Sequence, residues 1–145
     1  MNRVLVDGSD KRFLANKNIV KAAVKSALFF LKKDNFRVEI FLIGESQMRK
    51  LNRDWRGKDK STNVLAFPEP AWPAGGKSKI RPAGEVYLSP EYIKKHKESL
   101  AGLAIHGTLH LFGYDHKKKN DRIKMEKLEK IIYAKLSNGP GRRVV

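Results

Sequence analysis

The strongest constraint on this chain is a twelve-residue stretch, Ile105-His106-Gly107-Thr108-Leu109-His110-Leu111-Phe112-Gly113-Tyr114-Asp115-His116, which holds three of the four histidines. His106 and His110 are four residues apart, so on a helix both imidazoles leave the same face one turn apart. Gly113 can take the left-handed conformation that closes a helix. The chain can then reverse and return His116 to the same point. A single histidine on an apolar helix face is ordinarily a satisfied core residue. Three at this spacing, with a glycine between the second and third, point instead to a tripodal metal site with one position open, the arrangement of catalytic zinc. His106, His110 and His116 are the expected ligands, and one Zn²⁺ per chain is the expected metal.

The same spacing resembles the histidine pattern of the metzincin proteases, with one difference. Those enzymes carry a glutamate directly after the first histidine as the general base for peptide hydrolysis. Here that position is Gly107. The tripod is kept and the protease's base is not, which disfavours a peptidase.

A chain of 145 residues, 41% hydrophobic, is expected to fold as one domain, placed at residues 1–137, with a flexible basic tail at 138–145. There is no cysteine, so a metal must rely on histidine and carboxylate. No apolar run approaches a membrane span, and Met1-Asn2-Arg3-Val4 lacks a signal peptide's apolar core. The expectation is a cytoplasmic protein with no membrane partner and no small-molecule cofactor. Lys and Arg number 31 against 15 Asp and Glu, a net charge of +16. Adaptation of a surface to heat or solubility usually raises both signs together. So one-sided a positive field favours a polyanion, and RNA is the expected partner.

Taken in order, Val4-Leu5-Val6 predicts a first strand. From Asn18 to Lys33, Ile19, Val20, Ala23, Val24, Ala27, Leu28 and Leu31 recur at helical spacing. Residues 36–43 read as a strand whose second half is buried on both faces. Ser46 is the expected cap of the next helix, in which Met48, Leu51, Asn52 and Trp55 share a face and Gly57 marks the end. Val64-Leu65-Ala66-Phe67 predicts a short strand. Residues 68–83, rich in Pro and Gly, are expected to have no regular structure, with Lys77, Lys79 and Arg81 as possible phosphate contacts. Residues 84–88 predict another strand, and Ser89-Pro90-Glu91 a helix start. His96, among lysines, is expected to be exposed. The metal helix is expected from about Ser99 to Phe112, followed by a last helix carrying Met125, Leu128, Ile131, Ile132 and Leu136. The order implies an α+β fold: a small mixed sheet of about four strands with helices packed on it and the metal-bearing helix central.

Two stretches then act together. The segment from His106 to His116 resembles the motif of the YbeY family, bacterial rRNA maturation endoribonucleases. Arg56-Gly57-Lys58-Asp59-Lys60-Ser61-Thr62-Asn63-Val64-Leu65-Ala66-Phe67-Pro68 resembles that family's other diagnostic segment, and the resemblance spans roughly residues 36–136. It implies a compact single-domain fold with a zinc-like metal on His106, His110 and His116. It implies a metal-dependent endoribonuclease that prefers single-stranded RNA, works in rRNA processing and ribosome quality control, and meets the ribosome or ribosomal proteins. It also implies a functional arginine at Arg56. Two departures stand out: Gly102 occupies a position where many members carry a histidine one turn before the first ligand, and the 68–83 loop is longer than expected.

Three neutral imidazoles leave a bound zinc its full double charge, which suits an anionic phosphodiester. Arg56 can clamp a phosphate with two hydrogen bonds and stabilise charge that develops on it. No side chain of the motif is an evident general base. Asp115, beside His116, is the candidate to act on water or to orient a ligand histidine, with a structural turn as the equal alternative. The expected catalytic residues are therefore Arg56, His110 and Asp115. Thr62 and Asn63 are either phosphate contacts or turn formers. The alternative function is a ribosome-assembly RNA-binding protein in which the zinc is structural.

Overall fold

The computed structural model describes residues 1–8, 10–70 and 79–137. Arg3–Asp7 form β1, and a 3₁₀ turn at Lys11–Phe13 leads into α1, Leu14–Phe30. Then follow β2 (Phe36–Leu42), α2 (Glu45–Arg56), β3 (Val64–Pro68), β4 (Arg81–Leu88), α3 (Pro90–Lys95), α4 (Leu100–Leu111) and α5 (Lys119–Ser137). The strand order is β1-β2-β4-β3. β1 and β4 run parallel to β2 on either side, and β3 pairs antiparallel with β4 at the edge, so the sheet is mixed as the sequence implied. None of the helices among the described residues is long and apolar enough to cross a membrane.

Side chains alternate across a strand, so each strand offers one row to each face. Val4, Val38, Ile40, Leu42, Val86 and Leu88 form the row that joins the main core with α1, α4 and α5. α4 is its hub, packed against α1, α5, β3 and β4. Ala104, Ile105, Gly107, Thr108, Leu109 and Leu111 are all buried along it. Ile105 and Leu109 are fully buried, and each contributes about 1.5–3 kcal/mol by leaving water. His106 and His110 follow them by one residue, a rotation of about 100°, which turns both imidazoles away from that core contact.

Several local expectations are corrected. α2 is preceded by an extended Gly44 rather than capped by Ser46, because Met48 N donates to Gly44 O and the helix begins at Glu45. β2 keeps strict alternation to its end, with Val38, Ile40 and Leu42 buried and Phe41 only half-buried, since helices pack densely on one sheet face alone. Trp55 is 70% exposed rather than part of a buried stripe with Met48. Strand pairing also reaches into the region read as irregular: β3 includes Pro68 and β4 begins at Arg81. A register shift lets Arg37 face Pro82 and Val38 face Gly84, so the proline sits beside an irregularity in the ladder. Lys77 and the tail at 138–145 lie outside the described residues.

Candidate metal centre and active site

α4 starts at Ser99, whose Oγ accepts a hydrogen bond from Gly102 N at 3.0 Å. It ends through glycine. Gly113 has φ +91°, its N–H donates to His110 O, and Tyr114 N donates to Leu109 O. That pair of bonds closes the last turn and reverses the chain, as a left-handed C-terminal glycine does. Beyond it, Asp115 Oδ1 accepts from His116 N at 2.6 Å and from Lys117 N at 3.1 Å. The turn so made carries His116 back over the helix.

The ligand atoms of His106, His110 and His116 lie within 4.8 Å of one another. Their ring centroids are 4.6, 5.5 and 5.1 Å apart for the pairs 106–110, 106–116 and 110–116. The Nε2 atoms of His106 and His110 stand 3.1 Å apart. Zinc–nitrogen bonds of about 2.0–2.1 Å at tetrahedral angles place two ligand nitrogens about 3.3 Å apart, so this pair already has the spacing an ion needs. All three donors are imidazoles, a set suited to a first-row divalent metal. Burial, and then the two neighbouring imidazoles, hold His110 below the usual histidine range. That favours the neutral ring, the form that binds metal.

Sequence reasoning missed one residue here. His106 Nδ1 is 2.7 Å from Glu129 Oε1 on α5, with both side chains largely shielded. A carboxylate oxygen accepts, so Nδ1 carries the hydrogen and Nε2 is left bare, facing His110 Nε2. A signal was present: Glu129 falls within the apolar stripe of α5, between Met125 and Ile132 at helical spacing, where a carboxylate needs a partner.

The position after His106 is closed to a side chain. A Cβ on Gly107 would lie 2.6 Å from Val86 Cγ1 and 3.3 Å from Val64 Cγ2. The helix rests on β3 and β4 at this point, so a glutamate base there is sterically barred and not merely absent.

The structure does not gather every candidate. Arg56 ends α2, exposed, and α2 is not among the elements packed substantially on α4. Gly57 follows at φ +69°, and the next residues fold back on the helix, with Arg49 gripping Asp59 and Asn52 Nδ2 donating to Lys60 O. Asp115 has one oxygen committed to two backbone amides; burial raises its pKa, but those two bonds outweigh it and hold the carboxyl below its ordinary value. Asn63 is a turn former: its Oδ1 accepts from Val64 N at 2.7 Å, and its Nδ2 donates to Glu98. Thr62 Oγ1 is 3.5 Å from Asn63 Oδ1. His96 is exposed, stacked on Tyr92 with its Nδ1 against Tyr92 O.

Comparison with known proteins adds independent findings. The family model for endoribonuclease YbeY matches residues 8–137. Endoribonuclease YbeY of Persephonella marina is 40% identical over 126 residues, covering 81% of this chain and 81% of that protein. The Bartonella henselae protein of the same name is 36% identical over 131 residues, covering 83% and 82%. That of a Sulfurihydrogenibium species is 32% identical over 145 residues, covering 94% and 93%. A solution structure from Thermotoga maritima covers 99% of this chain and 100% of its own at 26% identity, with a TM-score of 0.48.

Proposed function

The chain belongs to the endoribonuclease YbeY family, and from that premise we propose that it cleaves single-stranded RNA with a divalent metal, zinc, held by His106, His110 and His116. It is an endoribonuclease, and RNA is its substrate. Ribosomal RNA in the course of maturation and quality control is the proposed target, met on the ribosome or its proteins in the cytoplasm. The observation that carries the metal assignment is the convergence of three imidazole nitrogens within 4.8 Å.

A divalent cation bound there supplies a Lewis acid for a phosphoryl oxygen. The chain's own groups do the rest. Glu129 fixes the tautomer and orientation of His106. Arg56 binds a substrate phosphate through its planar fork, supported by its exposure at a helix end. Asp115 shapes the turn that presents His116, supported by its two backbone bonds. The bar to a side chain at Gly107 supports a phosphodiester rather than a peptide substrate, as does the net charge of +16.

The test is cleavage of single-stranded rRNA fragments by zinc-loaded protein, beside His110→Ala and Arg56→Ala variants and a chelated sample. Loss of cleavage in His110→Ala and on chelation, with far-UV circular dichroism unchanged, is the expected result. Equal background cleavage in all samples sinks the proposal. Metal loss that unfolds the chain and abolishes RNA binding without any prior cleavage indicates an assembly factor with a structural zinc.

A further inference from the structure

The helix stripe that begins with the buried Met48 and Asn52 runs off the molecule at Trp55, which is 70% exposed. Other large apolar side chains are exposed too, Phe29 at 87% among them, so exposure alone singles out nothing; Trp55 stands apart by the rings it is joined to. Trp55 is not loose. Its ring meets Phe67 of β3 edge-on at 5.6 Å, Phe67 meets Tyr87 at 5.7 Å, and Tyr87 stacks on Phe41 at 4.9 Å. Four rings from α2 and three strands thus form a row on the sheet face opposite the main core. Burial, then Glu85 and Glu39, push the Tyr87 hydroxyl up to about 12, so the row stays uncharged at neutral pH.

Charge says which part of the row is available to a polyanion. Glu39 and Glu85 are register partners on this face, and they disfavour phosphate over the middle of the sheet. The Trp55 end is different. Arg53, Arg56, Lys58 and Lys60 flank it in sequence and are exposed; Arg53 is paired with Asp54 and Asp59, whereas Arg56 has no hydrogen-bond or ion-pair partner among the described residues. Trp55 is linked to the metal helix only through edge strand β3. Phe67, which it touches, is three residues along edge strand β3 from Val64, which packs beneath Gly107 between two of the histidines. Three residues of strand span about 10 Å.

We propose that Trp55 is a base-stacking contact for single-stranded RNA, with Arg56 beside it on the backbone, at the corner where α2 meets the β3 edge. Every base has a stacking face, so this contact is sequence-tolerant and available only where bases are unpaired. It rests on the endoribonuclease reading above and adds to it a feature that selects single strands. Phe67 holds the indole in place before RNA arrives, which limits the ordering cost of binding.

The experiment measures binding of a uridine-rich oligonucleotide and of a matched duplex in a His110→Ala background, which prevents turnover. Trp55→Ala is expected to weaken single-strand binding about 5- to 150-fold, the worth of one stacked base, and Trp55→Phe to weaken it less. The slope of affinity against salt stays the same in Trp55→Ala and falls by about 0.7 in Arg56→Ala, which removes a phosphate contact. Tryptophan fluorescence separates the second tryptophan, Trp72: RNA quenches Trp72→Phe, whose sole indole is Trp55, and quenches Trp55→Phe much less. Unchanged affinity in Trp55→Ala, or no quenching in Trp72→Phe, overturns the inference while leaving nuclease activity standing. Loss of a protein contact in Trp55→Ala with RNA affinity intact overturns it in favour of protein docking. Failure of the wild-type chain to bind or cut RNA overturns the parent reading as well.

Discussion

Glu129 offers the sharpest test of the metal centre. Its Oε1 lies 2.7 Å from His106 Nδ1, and the two side chains are 27% and 22% exposed. Hydrogen bonds to charged groups contribute roughly 1.5–3 kcal/mol, and partial exposure places this one in the lower half, about 1.5–2 kcal/mol. Without the carboxylate, His106 regains its second tautomer and its ring freedom, and zinc must fix both on binding. Glu129→Ala is therefore expected to weaken zinc about 10- to 30-fold, inside the range of about 10–100-fold usual for outer partners of ligand histidines. Glu129→Gln keeps an oxygen acceptor but loses the charge, and a loss of about 3- to 5-fold is expected. Alanine suits a helix interior, so α5 itself is not weakened. Exposed Glu126→Ala, on the same helix, serves as control. Competition titration against a chromophoric chelator reads the affinity directly. In thermal melts the rise in Tm on adding zinc shrinks by roughly 4–8 °C in Glu129→Ala, because weaker binding to the folded state stabilises it less. Wild-type zinc affinity and an undiminished Tm rise in Glu129→Ala would refute the assignment.

Three further outcomes are expected. Gly107→Ala places a methyl group 2.6 Å from Val86 Cγ1 in the core, so an overpacking cost of about 1–3 kcal/mol exceeds the ~1 kcal/mol of helix propensity gained, and urea unfolding shows net destabilisation. Gly84→Ala is worse, because that residue sits at φ +139° and its Cβ would run into Phe67 O and Leu111 Cδ2; backbone strain and the clash together cost about 3–5 kcal/mol, read from the same unfolding curves. Asp115→Asn keeps an oxygen for the backbone amides of His116 and Lys117 and so retains cleavage within about threefold, whereas loss of a general base lowers rates about 10²–10⁴-fold; single-turnover cleavage distinguishes the two.

Much of this molecule is local, and local features are legible in order along the chain. The i, i+4 histidines and the closing glycine each depend on residues a few places apart, so the sequence alone was enough to expect the tripod, the element order and the α+β class. The separation of the metal motif from a protease was also visible in one residue, Gly107. The tertiary structure decided whatever depends on which surfaces meet. Glu129 reaches His106 only because α5 packs on α4, a contact across 23 positions of sequence. The closure at Gly107 exists only because β3 and β4 lie beneath it. Trp55 belongs to a proper helical stripe, but whether the last residue of a stripe is buried depends on how far the partner surface extends, and here the sheet stops short. Periodicity fixes which side of a helix turns inward; only packing fixes what it finds there.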